Sequence, residues 1–282
     1  MTTVAQAIRD AAADLAHTSD TARLDAEVLM AHALGMARSD MLIRAMRDPA
    51  SPEFERLVER RAKREPVAYI TGTQEFYGRR FGVTRDTLIP RPDSETVVEA
   101  ALEALSDAPV RRAANVLDLG TGTGALLLSI LAERPAFHGL GLDRSEGAIA
   151  TAKRNAAALG LSDRSKLRVG GWHEGADEHG RGWWHGLGEF DLVVANPPYV
   201  ETGAQLDPDV AAYEPHGALF AGADGLDDYR VIIPGLRHIV PMAVLEIGSS
   251  QAEAVSELAE KAGFAVDVRH DLANRPRALI LS

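Results

Sequence analysis

The sequence predicts an α/β protein in which a mostly parallel sheet is covered by helices on both faces, preceded by a small helical domain. Three observations predict it. Beyond about residue 93, short apolar runs alternate with helical patterns, as parallel strands joined by helical crossovers require. Residues 1 to about 65 carry helical periodicity alone. Between these regions, residues 67–92 are β-prone and interrupted by Gly and Pro. The 282 residues suit one large domain or two modest ones. The expected division is a helical domain over 1–66, a β-hairpin linker over 67–92, and the α/β domain over 93–282.

In the first region, Ala7, Ile8, Ala11, Ala12 and Leu15 recur at helical spacing, as do Leu24, Val28, Leu29 and Ala33. Gly35 suits a left-handed end to the second helix. Ser51-Pro52-Glu53 combines a cap, a first-turn proline and an acid at the positive end of the helix dipole, so a third helix runs towards Arg64. Pro66 interrupts it. Residues 69–72 and 76–83 are β-prone pieces broken by glycine, and Pro90 and Pro92 stiffen the exit. In the third region strands are expected at 115–119, 138–142, 166–169, 191–195, 243–247, 265–269 and 278–281. Helices are expected at 95–105, 124–133, 146–159, 229–238 and 252–261.

Composition excludes several classes of function. The chain has no Cys, which removes disulfides, thiolate metal sites and a Cys nucleophile. No apolar run approaches the roughly 20 residues of a membrane span, and the first residues lack a basic and apolar leader. A cytoplasmic protein is therefore expected. The net charge of −11 counts against wrapping nucleic acid. Residues 171–190 hold six Gly, three His and all three Trp. The spacing of His173, Glu174, Asp177, His179 and His185 matches no metal-ligand motif, so this stretch reads as a surface loop and no metal is expected.

The sharpest local feature is the run Val116-Leu117-Asp118-Leu119-Gly120-Thr121-Gly122-Thr123-Gly124-Ala125, a buried strand, a glycine-rich turn and a helix start. Glycines let a ligand approach the backbone closely. The spacing is neither the dinucleotide fingerprint nor a P-loop. The second strand ends at Asp143, where a carboxylate can accept hydrogen bonds from both hydroxyls of an adenosine ribose. This pattern resembles the S-adenosyl-L-methionine site of Rossmann-like methyltransferases. Asp118 would then lie near the amino-acid part of that cofactor.

A second motif follows the fourth strand: Asn196-Pro197-Pro198-Tyr199. Two prolines remove two backbone donors and keep the chain extended, so carbonyl groups face outward. The Asn196 side chain adds another acceptor and Tyr199 a flat face. Such a site suits a planar –NH2 group, whose two N–H bonds meet two acceptors while the ring stacks on its plane.

The order of these motifs resembles that of amino-methyltransferases acting on adenine, cytosine, guanine or glutamine. Gln74-Glu75-Phe76-Tyr77-Gly78 and Leu88-Ile89-Pro90-Arg91-Pro92-Asp93-Ser94-Glu95 narrow it further. They resemble the linker of the glutamine N5-methyltransferases that modify peptide chain release factors. Ala22-Arg23-Leu24-Asp25-Ala26-Glu27 resembles that family's helical domain. Glu214-Pro215, Leu245-Glu246-Ile247-Gly248 and Asp271-Leu272 with Arg275-Pro276-Arg277 resemble its later blocks. Arg91-Pro92-Asp93 favours this branch over the ribosomal-protein glutamine methyltransferases, which carry Arg-Ser-Pro there.

The resemblance implies a class I S-adenosylmethionine-dependent methyltransferase with a mostly parallel seven-stranded sheet. It implies release factors as protein substrates, S-adenosyl-L-homocysteine as the cofactor product, and no stable nucleic-acid or membrane partner. Asn196, Pro197 and Tyr199 would be catalytic, and these three with Pro198 would bind substrate. Asp118, Gly120, Thr121, Gly122 and Gly124 would contact the cofactor, together with Asp143, Arg144, Gly171, Trp172 and Asn196. Arg91, between Pro90 and Pro92, would frame the entrance or form a linker salt bridge. Glu246 reads as a local hydrogen-bond anchor. The alternative within the wider group is methylation of ribosomal-protein glutamine, or of adenine or guanine in nucleic acid. Relatives carry an acid before the Trp at the third strand end, where this chain has Gly170-Gly171-Trp172. Adenine contacts are thereby left to backbone groups or to Trp172.

The charge is unevenly divided. Residues 1–92 hold 14 basic and 13 acidic side chains, whereas 93–282 hold 16 and 28. An acidic catalytic domain favours a cationic cofactor over a phosphate backbone. Arg56, Arg60, Arg61, Lys63 and Arg64 make the third helix the first place to expect a protein partner.

Overall fold

The computed structural model describes residues 2–107, 113–173 and 182–282. The chain forms two compact units, Met1–Thr73 with Leu206–Glu214, and Gln74–Gln205 with Pro215–Ser282.

In the first unit, α1 (Val4–Leu15) starts at Thr3, whose hydroxyl accepts the Gln6 N–H, and buries Val4, Ile8, Ala11 and Leu15 on one stripe. Helix α2 (Ala22–Ala33) buries Ala26, Leu29 and Met30. A short α3 (Arg38–Asp40) continues into a π-helical turn, Met41–Ala45, and α4 (Phe54–Ala62) adds Phe54 and Leu57 to the same core. Residues 69–72 depart from the β reading. They fall in and just after a short helix, α5 (Val67–Thr71). The Pro66 carbonyl accepts the N–H groups of Tyr69 and Ile70 at 3.0 Å, and Gly72 ends the turn at φ +73°. Local capping and burial of Tyr69 and Ile70 outweigh their strand propensity. This helix belongs to the first unit, whereas the hairpin from Gln74 onward belongs to the second.

The basic run at 56–64 is not a free solvated face either. Arg56 pairs with Glu53 and Arg60 with Glu65. Arg61 is buried, with Nε on Asp25 at 2.7 Å and Nη1 on Asp209 at 2.6 Å. Arg64 reaches the other oxygen of Asp209 at 3.2 Å, and the Tyr213 hydroxyl donates to the Lys63 carbonyl at 2.8 Å. Asp209 and Tyr213 lie on the short helix Pro208–Tyr213, so this later piece of chain is part of the helical unit.

The second unit begins with a hairpin, β1 (Thr73–Phe76) and β2 (Arg79–Gly82). Phe76 and Phe81 meet edge to face at 6.1 Å between ring centres, and both join the core under the sheet. A 3-10 turn, Pro92–Ser94, leads into α6 (Glu95–Asp107), and Glu95 accepts the Tyr77 N–H at 2.8 Å, which ties hairpin to helix. Then follow β3 (Asn115–Leu119), α7 (Ala125–Glu133), β4 (His138–Asp143), α8 (Glu146–Ala158), β5 (Ser165–Val169) and β6 (Leu192–Ala195). After helix Pro208–Tyr213, numbered α9, come α10 (Asp227–Leu236), β7 (Ala243–Glu246), α11 (Ala252–Lys261), β8 (Val266–His270) and β9 (Pro276–Leu281).

Among the described residues these strands form one seven-stranded sheet of order β5-β4-β3-β6-β7-β9-β8. Strands β3 to β7 run parallel, and β9 is antiparallel to both neighbours. Strands β6 and β7 are buried throughout, which explains the apolar sequence of β6 and of β7 as far as Leu245, with Glu246 the buried exception. Alternation still sorts the residues. Val116, Val194 and Val244 face the core shared with α6, α7 and α8. Leu117, Leu119, Val193, Ala195 and Leu245 face Tyr229, Ile232 and Ile233 of α10 and Val255 of α11.

Replacing Arg61 with Ala leaves the buried Asp25 without its cation and Asp209 with Arg64 alone, and is expected to destabilise the helical unit by about 3 kcal/mol. Asp209→Ala should cost less, because Asp209 is partly exposed and Asp25 keeps Arg61. Urea unfolding followed by circular dichroism would read both; equal, negligible losses would contradict this account.

Candidate active site

Leu119 at the end of β3 and Ala195 at the end of β6 are register partners. The chain therefore leaves both strands side by side at the carboxyl edge of the sheet. Strand order reverses between them, and that reversal opens a crevice there.

On the β3 side, Gly120, Gly122 and Gly124 all take positive φ, at +75°, +55° and +83°. Two of these positions also have no room for a side chain. A Cβ on Gly120 would stand 3.1 Å from the Trp172 ring, and one on Gly124 would stand 2.8 Å from Leu128. The N–H groups of Gly120 and Thr121 donate to the Leu142 carbonyl at 2.9 and 2.8 Å, clamping the turn to the end of β4. That clamp brings Asp143 alongside. Its Oδ2 accepts the Gly122 N–H at 2.9 Å and its Oδ1 the Ser145 N–H at 2.8 Å. The buried Asn155 amide donates to the carbonyls of Thr123 and Gly82, pinning the turn to the hairpin.

Asp118 lies buried beneath the turn. Its Oδ2 accepts the Thr121 hydroxyl at 2.6 Å, and its Oδ1 has no hydrogen-bond partner. Burial pushes this carboxyl up to about 7, against the pull of the Thr121 hydrogen bond. Burial also raises Asp143, opposed by its two backbone N–H bonds, and lowers the His173 imidazole.

A cavity of about 310 Å³ joins the two strand ends. Of the residues expected from the sequence, Gly120, Thr121, Gly122, Asp143, Arg144, Gly171 and Trp172 line it from one side, and Asn196 and Pro198 from the other. Arg91 and Pro90 also line it. Asp118, Gly124, Pro197 and Tyr199 are absent from the lining. Asp118 and Gly124 support the turn from behind. Pro197 is buried, and the Tyr199 carbonyl accepts from Gln251 at 3.0 Å while burial, and then Glu246, raises its phenol. Trp172 presents its ring, since its indole N–H is committed to Asp228. The Arg144 guanidinium donates to the Gly217 carbonyl at 2.7 Å. Of the His- and acid-bearing stretch, His173 packs on Trp172 with Nε2 3.6 Å from Asp228, and Glu174, Asp177 and His179 lie outside the described residues. Phe76, Thr87 and Ser94 also line the cavity and were not singled out as site residues. The only signal for them was their position within or beside the two linker segments.

Residues 6–72 match the family described as the PrmC N-terminal domain, and residues 111–215 match a methyltransferase domain. A release factor glutamine methyltransferase of Cereibacter sphaeroides is 44% identical over 284 residues, covering 97% of this chain and 96% of that protein. The chain belongs to the release factor glutamine methyltransferase family. Another member, from Rhodospirillum rubrum, is 39% identical over 267 residues, covering 92% of this chain and 78% of its own. Among solved structures, the hMettl16 catalytic domain in complex with MAT2A 3'UTR hairpin 1 aligns with a TM-score of 0.54 at 14% identity, over 72% of this chain and 74% of that one. That likeness shows the class I methyltransferase fold alone. The matched methyltransferase segment lies mostly in the second unit, which carries the cavity at the strand-order reversal.

A carboxyl whose folded pKa is raised from 3.8 to about 7 binds protons more tightly in the folded state, so its contribution to stability is full below pH 4 and lost as pH rises through 7. The ligand-free protein should accordingly melt at a lower temperature at pH 8 than at pH 5.5, and Asp118→Asn should flatten that fall. Calorimetric melts across the range would read it; an unchanged slope in the variant would remove Asp118 as the cause.

Proposed function

We propose that this chain transfers the methyl group of S-adenosyl-L-methionine to the side-chain amide nitrogen, N5, of the glutamine in the Gly-Gly-Gln motif of peptide chain release factors, releasing S-adenosyl-L-homocysteine. The reaction takes place in the cytoplasm, where release factors act. The observation that carries this reading is the single cavity running from the Gly120–Gly122 turn and Asp143 to Asn196 and Pro198. Membership of the family supports the choice of substrate.

The residues present fit such a cofactor. The left-handed glycine turn lines the cavity at Gly120 and Gly122, and a side chain at 120 would crowd the Trp172 ring. Asp143, already positioned by two backbone N–H groups, keeps lone pairs for the ribose hydroxyls. Asp118 beneath the turn, with one unpartnered oxygen, places negative potential below the amino-acid end. The Trp172 ring and backbone groups at Gly171 remain for the adenine. When bound, the cofactor supplies an electrophilic methyl group on a sulfonium.

The chain's own residues address the weak nucleophilicity of an amide nitrogen, whose lone pair is delocalised. Asn196 Oδ1 and the Pro197 carbonyl accept its two N–H bonds and favour positive charge developing on nitrogen. Pro198 and Tyr199 exclude water from the plane of the amide. Fixed placement of nitrogen against the methyl supplies a further part of the acceleration. As the sulfonium is released as a neutral thioether, the methylated nitrogen sheds one of its two protons past the acceptor that held it to water, so no strong base is required.

Asn196→Ala is expected to lower single-turnover methyl transfer by at least about 100-fold, the usual loss for one transition-state acceptor or donor, with cofactor affinity nearly unchanged. Asp143→Ala should weaken cofactor binding by roughly 10- to 100-fold, the worth of hydrogen bonds to a charged group. Calorimetry with the cofactor, beside transfer of labelled methyl to a release factor and peptide mass spectrometry, measures both. Turnover by Asn196→Ala at the wild-type rate, or a methyl found elsewhere than the glutamine, would overturn the assignment.

A further inference from the structure

Glu246 ends β7 in a position buried on every side, at 1% exposure. Its carboxylate accepts the hydroxyl of Ser94, and its Oε2 has no hydrogen-bond partner. Ser94 is itself buried, lines the cavity, and faces Asn196, whose Nδ2 donates to the Ser94 Oγ at 3.5 Å. Three residues from three separate segments thus form one line, Glu246 to Ser94 to Asn196, which ends at the cavity wall.

A serine hydroxyl carries one proton. While Glu246 is ionised it can only accept, so the Ser94 proton points to it and Ser94 offers Asn196 lone pairs alone. Asn196 must then turn its NH2 toward Ser94, which leaves Oδ1 facing the cavity. We propose that Ser94 and Glu246 are positioning residues that hold the Asn196 amide with its carbonyl toward the glutamine amide. The proposal rests on the reading of Asn196 as an acceptor. If Glu246 takes a proton, it can donate to Ser94. The Ser94 hydroxyl is then released to donate to Asn196 Oδ1, and the amide turns its NH2 toward the substrate, where two donors face each other.

The groups around Glu246 make this switch titratable near neutrality. Burial pushes its carboxyl up to about 7, Asp93 pushes the same way, and Arg277, Arg91 and the Ser94 hydrogen bond hold it down. The remaining neighbours, the Tyr199 and Tyr229 phenols, have raised pKa values and stay neutral across this range; the Tyr229 hydroxyl donates to the Glu246 backbone carbonyl at 2.7 Å.

The test is single-turnover transfer to a release factor at saturating cofactor, from pH 5.5 to 9, so that cofactor affinity does not enter. Wild type should lose rate on the acid side with a midpoint near pH 7. Glu246→Gln, which keeps an acceptor for Ser94 but does not titrate, should lack that limb and retain a rate within about tenfold of wild type at pH 8. Ser94→Ala should lower the rate about tenfold with cofactor affinity unchanged, and Ser94→Thr should restore most of it. An acid limb that persists in Glu246→Gln, or wild-type rate and pH profile in Ser94→Ala, would overturn the proposal. If Glu246→Gln does not fold, the Ser94 pair decides alone. Asn196→Ala separates the two readings: an inactive Asn196→Ala beside a Ser94→Ala of wild-type rate rejects the positioning role and leaves the acceptor role standing.

Discussion

The hydrogen-bonded pairing of β3 with β6 is the constraint on which the site depends. Because Leu119 and Ala195 are partners, the glycine-rich turn and the Asn196-Pro197-Pro198-Tyr199 segment emerge beside each other though 76 residues of sequence separate Gly120 from Asn196. Neither segment has regular structure of its own to set its place. The sheet supplies it, and the sheet is rigid because its central strands are enclosed by apolar layers on both faces. Side-chain links then refine what the pairing places, with Asn155 joining the turn to the hairpin and Gln251 holding the Tyr199 carbonyl. A rigid edge of this kind suits a transfer reaction, which needs two partners aligned more than it needs reactive groups.

Two acidic side chains run against the apolar character of that edge. Asp118 and Glu246 sit at or near the ends of two buried strands, β3 and β7, on either side of β6, each with one oxygen lacking a partner. A buried, incompletely paired carboxyl weakens the fold, and local departures from good packing practice of this sort tend to gather where chemistry occurs. Each is connected through a hydroxyl to one wall of the cavity, Asp118 through Thr121 to the glycine turn and Glu246 through Ser94 to Asn196. The same arrangement, a buried acid, a hydroxyl and a wall, is thus used on both sides of the crevice.

Much of this was legible in the amino-acid sequence. The strands were, because fully buried strands such as β6 are apolar throughout, and β7 is apolar up to Glu246. The glycine turn and Asn-Pro-Pro-Tyr motif were, because each is a contiguous run whose residue types restrict the backbone. Residues 69–72 were misread because strand propensity is weak next to a proline start and a glycine stop. The sequence offers Arg61 only as one of a basic cluster suited to a protein partner, since its own partners Asp25 and Asp209 are 36 and 148 residues away. Glu246 reads as a local hydrogen-bond anchor, but its link through Ser94 to Asn196 is hidden for the same reason: side chains that meet across a sheet edge leave no spacing rule. What a linear reading recovers well is local geometry and periodicity. Long-range ionic and hydrogen-bonded lines require the fold.

Residues 206–214 illustrate how such a line can divide a polypeptide unexpectedly. The chain leaves the Asn-Pro-Pro-Tyr segment at Tyr199, contributes Asp209 and Tyr213 to the helical unit, and returns at Pro215. The helical unit is therefore encoded in two pieces, and a break after Thr73 does not liberate a whole one. A chimera that exchanged only the first 73 residues with those of a relative would confront foreign side chains with the resident Asp209. Exchange of a whole helical unit would need both pieces to travel together, as one inherited cassette split by the gene.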